Sequence, residues 1–188
     1  MRISGGVARG IPLAVPRGDA VRPATDGLRQ AVFSSLADWL EGARFWDLFA
    51  GSGAYGLEAL SRGATAGIFV ERHPPTAACL KRNLAAVGRS LGRGLADVEV
   101  VTADALTWIP PGGERSADLV FIDPPYDLIE HAAPVLFARL SGALAARPGA
   151  LVLFETPGEL TLAPAGWECV KRLGKGRRQP TLGVYRRS

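Results

Sequence analysis

Asp47-Leu48-Phe49-Ala50-Gly51-Ser52-Gly53-Ala54-Tyr55-Gly56 opens on the tail of an apolar strand, Phe45–Phe49, and runs through glycines into a helix, Ala54–Arg62. Glycines at such a corner permit a sharp strand-to-helix turn and leave bare backbone where a ligand can approach. Outward from this corner the chain keeps alternating. Ala66–Val70 reads as a strand ending at Glu71, and Pro74–Val87 as a helix whose opening prolines suit a first turn. Val98–Thr102 and Asp118–Ile122 read as strands ending near Asp104 and at Asp123, Leu128–Leu144 as a helix, and Ala150–Phe154 as a fifth strand. Such alternation calls for a parallel sheet covered by helices on both faces. Glu168–Leu173 and Leu182–Arg186 read as two more strands, an antiparallel C-terminal hairpin around the basic turn Gly174–Arg178. The expectation is therefore an α/β, Rossmann-like, mostly parallel seven-stranded sheet.

Upstream, residues 2–15 read as a small β-hairpin around Gly5-Gly6 and Gly10. Thr25–Leu40 reads as one helix, with Leu28, Ala31, Val32, Leu36, Trp39 and Leu40 at helical spacing and Thr25 or Asp26 as N-cap. Residues 1–40 are expected to extend the same domain that residues 41–188 form. At 188 residues the chain is within the usual size of one domain.

Composition narrows the function classes. The longest apolar run is about strand length, well below the ~20 residues a membrane-spanning helix needs, and the first residues lack an apolar signal core. Cys79 and Cys169 are far apart and only His73 and His131 accompany them, which argues against a zinc site. A cytoplasmic protein with no metal and no membrane partner is expected. The net charge of +4 is unevenly spread: residues 1–29 carry +3, residues 169–188 carry +7 and the middle carries −6. Basic ends around an acidic middle suit a polyanionic partner, although terminal charges also simply confer solubility.

Ligands of open α/β sheets bind beyond the carboxyl ends of the strands, and four distinctive clusters stand there. At the first, Gly51-x-Gly53-x-x-Gly56 with Glu71 twenty residues on has the form of a dinucleotide fingerprint. A nicotinamide enzyme is therefore an alternative. Asp47 fits it poorly, because a carboxylate repels a pyrophosphate. It suits S-adenosylmethionine, whose ammonium and sulfonium are both positive. Phe49, Gly51 and Gly53 join Asp47 as cofactor-loop residues. At the second, Glu71 can accept the ribose hydroxyls of an adenosine. At the third, Asp104-Ala105 can meet the adenine amino group, or Asp104 can cap a short helix over Ala105–Trp108.

The fourth, Asp123-Pro124-Pro125-Tyr126, is the sharpest. Consecutive prolines fix φ and donate no hydrogen bonds, so the Pro124 carbonyl is held rigidly. An exocyclic amine has two donors; Asp123 can accept one and the Pro124 carbonyl the other, turning the nitrogen lone pair toward a methyl donor. Tyr126 can stack on the base, a contact worth ~1–3 kcal/mol.

These motifs resemble the class I amino-methyltransferases. Arg22-Pro23-Ala24-Thr25-Asp26-Gly27-Leu28-Arg29-Gln30-Ala31-Val32-Phe33 is similar to a block of the bacterial 16S rRNA (guanine-N2)-methyltransferases of the small subunit. The glycine loop through Leu57-Glu58-Ala59 and the opening Arg2-Ile3 with Gly5-Gly6 and Arg9-Gly10 are also similar. Ala24, Gly27, Gln30 and Tyr55 depart from that pattern. The resemblance covers nearly the whole chain. It implies methyl transfer from S-adenosylmethionine to a guanine N2 of 16S rRNA, within an assembling or assembled small subunit, by a monomer. It places Arg22, Thr25, Asp26 and Arg29 toward substrate or cofactor, and both basic ends on rRNA phosphates beside the target. A DNA amino-methyltransferase, a protein glutamine methyltransferase and a non-catalytic RNA-binding module are the other readings.

Overall fold

The structure is a computed structural model that describes residues 1–15, 26–174, 176 and 179–188. Arg22 and Thr25, and with them the expected cap at Thr25, lie outside the described residues.

Seven strands form one sheet: β1 (Arg44–Leu48), β2 (Ala66–Glu71), β3 (Val98–Thr102), β4 (Leu119–Ile122), β5 (Leu151–Pro157), β6 (Trp167–Leu173) and β7 (Pro180–Arg187). Their order is β3-β2-β1-β4-β5-β7-β6. The first five run parallel, and β7 enters antiparallel between β5 and β6. The chain begins at β1 and winds outward in both directions, so the order reverses at the β1–β4 junction. A crevice beyond the strand ends at that switch point is where such sheets bind ligands.

Strand parity sorts the core into two layers. Residues in register on parallel strands face the same side, and successive residues alternate. Phe45, Phe69, Phe121 and Leu153 pack on one side with Leu57 of α3 (Ala54–Ser61) and Leu80 of α4 (Pro74–Leu91). Trp46, Ile68, Ile122 and Phe154 pack on the other, against Leu136 and Phe137 of α5 (Ile129–Ala143). Both faces of a parallel sheet are buried in this way.

Three local expectations change. The helix expected over 25–40 is two: α1 (Asp26–Ser35) and α2 (Ala37–Leu40). The Ser35 hydroxyl donates back to the Val32 carbonyl at 2.9 Å and Leu36 leaves helical geometry at ψ 9°. Such back-bonding competes with the helix ladder. The break rotates Trp39 out of the core to 43% exposure. The N-terminal hairpin shrinks to one antiparallel bridge, Arg2 to Pro12, yet Ile3, Ala8 and Leu13 still join the α3-side core. Residues 105–108 form a turn rather than a helix. Asp104 closes it, with its carbonyl taking the Thr107 and Trp108 N–H groups at 3.0 and 2.8 Å. Ile109 precedes Pro110-Pro111 and is disfavoured in helical geometry.

Candidate active site

Parity also places the acids. Asp47, Glu71 and Asp123 continue the odd-numbered rows Phe45, Phe69 and Phe121, so all three emerge on the α3 side at the carboxyl edge of the sheet. They line one cavity of about 710 Å³. Small-molecule sites run from about 300 to 1,000 Å³. Phe49, Gly51, Ala105, Pro124, Pro125 and Tyr126 line the same cavity. The glycine turn and the Asp-Pro-Pro-Tyr turn, some 70 residues apart in sequence, therefore share a space. β1 and β4 are in register up to Leu48 and Ile122, which makes the two turns neighbours by construction.

The glycine turn is held by carboxylates. The Gly56 N–H donates to Asp47 Oδ2 at 2.9 Å, and the Gly51 N–H to Glu71 Oε2 at 2.9 Å. Glu71 Oε1 accepts the His73 N–H at 2.8 Å. Phe49 enters the turn at φ 61°, a left-handed conformation rare for a bulky residue; such outliers cluster where a loop is shaped for a ligand. A Cβ at Gly51 would meet only the Phe49 carbonyl oxygen, at 3.9 Å, whereas one at Gly53 (φ 86°) would stand 2.2 Å from Leu80 Cδ1. Gly53 does not line the cavity, nor does Asp104, whose carboxylate Oδ1 accepts the Leu106 N–H at 2.8 Å. Both support the turns that carry cavity residues.

Burial, opposed by the Gly56 hydrogen bond and aided by the nearby Glu71, pushes the Asp47 carboxyl from 3.8 up to about 8. Burial, then Glu155 and Asp47, holds Asp123 well above the usual carboxylate range. The Pro125 carbonyl accepts the Leu128 N–H at 2.9 Å and opens the turn into α5. Among the described residues no hydrogen-bond donor is assigned to the Pro124 carbonyl.

Glu155 and Tyr55 are among the cavity residues that escaped the sequence reading. Glu155, on β5, is 2% exposed, and Tyr55 is 4% exposed. The Tyr55 hydroxyl donates to Glu155 Oε2 at 2.8 Å. Tyr55 is fixed by stacking on Phe121, ring centroids 5.5 Å apart, with Phe33 of α1 at 6.3 Å. Burial raises both groups, and each carboxylate neighbour raises the Tyr55 hydroxyl further. The signal was present: Glu155 follows Leu151 and Leu153 in the odd row of its strand, as Asp47 follows Phe45. Tyr55 is one of the departures from the resembling pattern.

The N-terminal block behaves differently from expectation. Arg29 is fully buried and does not line the cavity. Its guanidinium donates to the Arg2 carbonyl and to Asp26 Oδ1, both at 2.7 Å, and lies 3.6 Å from Glu58. Glu58, itself fully buried, also accepts the Ser4 N–H at 2.8 Å and pairs with Arg62. Arg29 thus ties α1 and the N-terminal segment to α3 and has no surface to offer a substrate. Asp26 remains largely exposed, outside the cavity lining.

The donor set fits a cation. Five carboxyls line the cavity (Asp47, Glu71, Asp123, Asp127 and Glu155) against one arginine, Arg72. The Gly56 N–H, which a pyrophosphate at this helix end would use, is already taken by Asp47. A dinucleotide therefore meets repulsion where S-adenosylmethionine meets attraction.

Comparison with known proteins gives consistent matches. Residues 1–183 match the family model described as Conserved hypothetical protein 95. Ribosomal RNA small subunit methyltransferase D of Escherichia coli (strain K12) is 36% identical over 169 residues, covering 89% of this chain and 81% of that protein. The Haemophilus influenzae protein of the same name is 32% identical over 180 residues, covering 94% and 89%. The solved structure of the Escherichia coli protein yhhF superposes with a TM-score of 0.77 at 32% identity, covering 100% of this chain and 98% of that one.

Proposed function

The chain belongs to the Conserved hypothetical protein 95 family and has the Rossmann-like class I methyltransferase fold, and from that premise we propose that it is an rRNA methyltransferase that transfers a methyl group from S-adenosylmethionine to the exocyclic N2 of a guanine in small-subunit rRNA. The single observation that carries this reading is the shared cavity: Asp123 and Pro124 stand in the same space as Asp47, Gly51 and Glu71. The similar proteins of Escherichia coli and Haemophilus influenzae, named for small-subunit rRNA methylation, supply the substrate class.

S-adenosylmethionine, when bound, supplies an electrophilic methyl on a positively charged sulfur. Asp47 offers a desolvated carboxylate to its ammonium, Glu71 faces the ribose, Ala105 lies on the adenine side, and Gly51 and Phe49 shape the wall between. Asp104 and Gly53 support those positions from outside. On the other side, Asp123 and the Pro124 carbonyl accept the two amine hydrogens of a base unstacked into the cavity, with Tyr126 against its face. This holds the amine with its lone pair toward the methyl. It disfavours the planar, delocalised amine, which is a poor nucleophile. Asp123 is placed to take the proton lost as the amine becomes secondary; its raised affinity for protons suits that task. Catalysis is alignment plus electrostatics. Unstacking the base costs a few kcal/mol, which phosphate contacts by the basic terminal segments offset.

Among the described residues no helix is long and apolar enough to cross a membrane, and no group of three His, Cys, Asp or Glu is arranged for a metal. The reading includes a monomer acting in the cytoplasm on 16S rRNA within an assembling or assembled small subunit. Asp123→Ala tests it. S-adenosylmethionine affinity by calorimetry should stay within a few-fold, while tritiated methyl incorporation into 16S rRNA falls at least a thousandfold. Undiminished turnover removes Asp123 from the chemistry; label appearing in DNA or protein in place of rRNA redirects the substrate.

A further inference from the structure

Glu155 is a costly residue to keep where it is. It is 2% exposed, it stands beside Asp123 on the neighbouring strand, and no ion pair among the described residues involves either acid. An unpaired buried carboxylate costs several kcal/mol. Only one of its oxygens is used inside the protein: Oε2 accepts the Tyr55 hydroxyl at 2.8 Å, while Oε1 accepts no hydrogen bond among the described residues. Glu155 nevertheless lines the cavity. Tyr55, locked by its stack on Phe121, fixes which way the carboxylate turns. A buried, oriented acceptor with a spare oxygen in a substrate cavity waits for a donor on the substrate.

The identity of that donor follows from the chemistry of bases that carry an exocyclic amine. Ile122 pairs in register with Phe154, so Asp123 and Glu155 are the next residues of adjacent parallel strands, which run about 4.8 Å apart. With the amine on Asp123, Glu155 faces the atom next to it on the base edge. In adenine and cytosine that neighbour is a bare ring nitrogen, an acceptor that a carboxylate repels. In guanine it is N1–H, a donor. We infer that Glu155, held by Tyr55, forms a base-selecting subsite that accepts the guanine N1–H while Asp123 accepts the N2 amine, so that the pair of carboxylates reads guanine against adenine and cytosine. This rests on the reading that Asp123 receives the amine. It adds to that reading a reason why guanine is the base. Flipped bases are read through hydrogen bonds to this edge, and a site built to hold a substrate N–H rejects analogues lacking it by large factors.

The test uses full-length 16S rRNA in which the guanine methylated by the wild-type protein, mapped by mass spectrometry, is replaced by 2-aminopurine through splint ligation. The RNA is offered both free and reconstituted into subunits. 2-Aminopurine keeps the 2-amino group but has a bare N1. Wild-type kcat/KM should fall at least a hundredfold on 2-aminopurine. In Glu155→Gln the side-chain amide can donate to a bare N1. Guanine turnover should then fall at least a hundredfold, with 2-aminopurine becoming the equal or better substrate, and S-adenosylmethionine affinity should stay within a few-fold. A wild type that methylates both bases equally overturns the inference, and this arm needs no variant to fold. So does a Glu155→Gln protein that keeps guanine turnover, or that loses both substrates by the same factor as a structural residue would. A wild type that forms N2-methylguanosine leaves the proposed function standing whatever Glu155 does; absence of that product rejects the function first.

Discussion

Asp47 bears on stability and, under the proposed function, on binding, and in opposite senses. Its carboxyl sits at about 8 in the folded chain against 3.8 ordinarily, chiefly through burial. The folded state therefore holds a proton that the unfolded chain has released. The associated stability is fully present below about pH 4 and is lost as pH rises toward about 8. Asp47→Asn keeps an oxygen for the Gly56 N–H and removes the charge. It should raise the ligand-free Tm at pH 8 by about 2–6 °C, read by calorimetry. In the wild type a proton must leave Asp47 before it can pair with an ammonium. S-adenosylmethionine affinity should thus climb from pH 6 to pH 8 with proton release in buffers of differing ionisation heat; in Asp47→Asn the affinity should be weaker and flat. At this scale the sequence was most readable, because acids ending apolar strands are visible as letters. Its failures were of context. Nothing in the letters tells that Gly53 is hemmed in by Leu80 or that Arg29 turns inward to Glu58. Both are decided by atoms brought in from other elements.

Between residue and molecule, strand parity does most of the positioning. The odd rows of β1, β2, β4 and β5 are apolar within the sheet and acidic at its carboxyl edge. An alternating pattern read one step further along β5 would have found Glu155. The same pattern could not have shown Tyr55 as its partner, since Tyr55 lies on α3, 100 residues away. Long apolar periodicity overran its true length in the helix expected over 25–40, because a single hydroxyl back-bond at Ser35 and the geometry of Leu36 end α1. The C-terminal hairpin divides the basic tail between two edges of the sheet. β7 runs antiparallel to β5, so Pro180 pairs with Pro157 at the edge that bears the cavity, and Tyr185 pairs with Val152 toward the opposite edge. Arg186 and Arg187 therefore lie toward the edge away from the site, while Leu173 and Pro180 lie at the site's edge; Lys175, Arg177 and Arg178, between them in sequence, lie outside the described residues. Replacing Lys175, Arg177 and Arg178 with alanine should raise the KM for 16S rRNA at least tenfold. It should also flatten its dependence on log salt by about 2, at ~0.7 per single-strand phosphate contact. Replacing Arg186 and Arg187 should change KM less than threefold. Equal effects of the two sets, measured as KM between 50 and 200 mM salt, would remove the turn from the RNA path.

For the molecule as a whole, topology turns scattered letters into one place. The chain starts its sheet in the middle and winds outward, and that choice alone puts the glycine turn, Glu71 and the Asp-Pro-Pro-Tyr turn on a single rim. The N-terminal segment and α1 are secured from behind through the buried Arg29, Glu58 and Ser4 network. Breaking one partner of such a buried pair costs about 3–5 kcal/mol. No ion pair among the described residues joins this network to the cavity's acids. The outcome is a carboxyl-rich crevice in a chain of net positive charge, which the proposed function fits to a cationic methyl donor inside and a polyanion outside. The direct measurement is mass spectrometry of nucleosides from 16S rRNA, free and in subunits, after incubation with the purified protein and S-adenosylmethionine. One N2-methylguanosine per rRNA molecule is the predicted product. A methyl on adenine N6 or cytosine N4, or no methylated nucleoside in either substrate, would contradict the account.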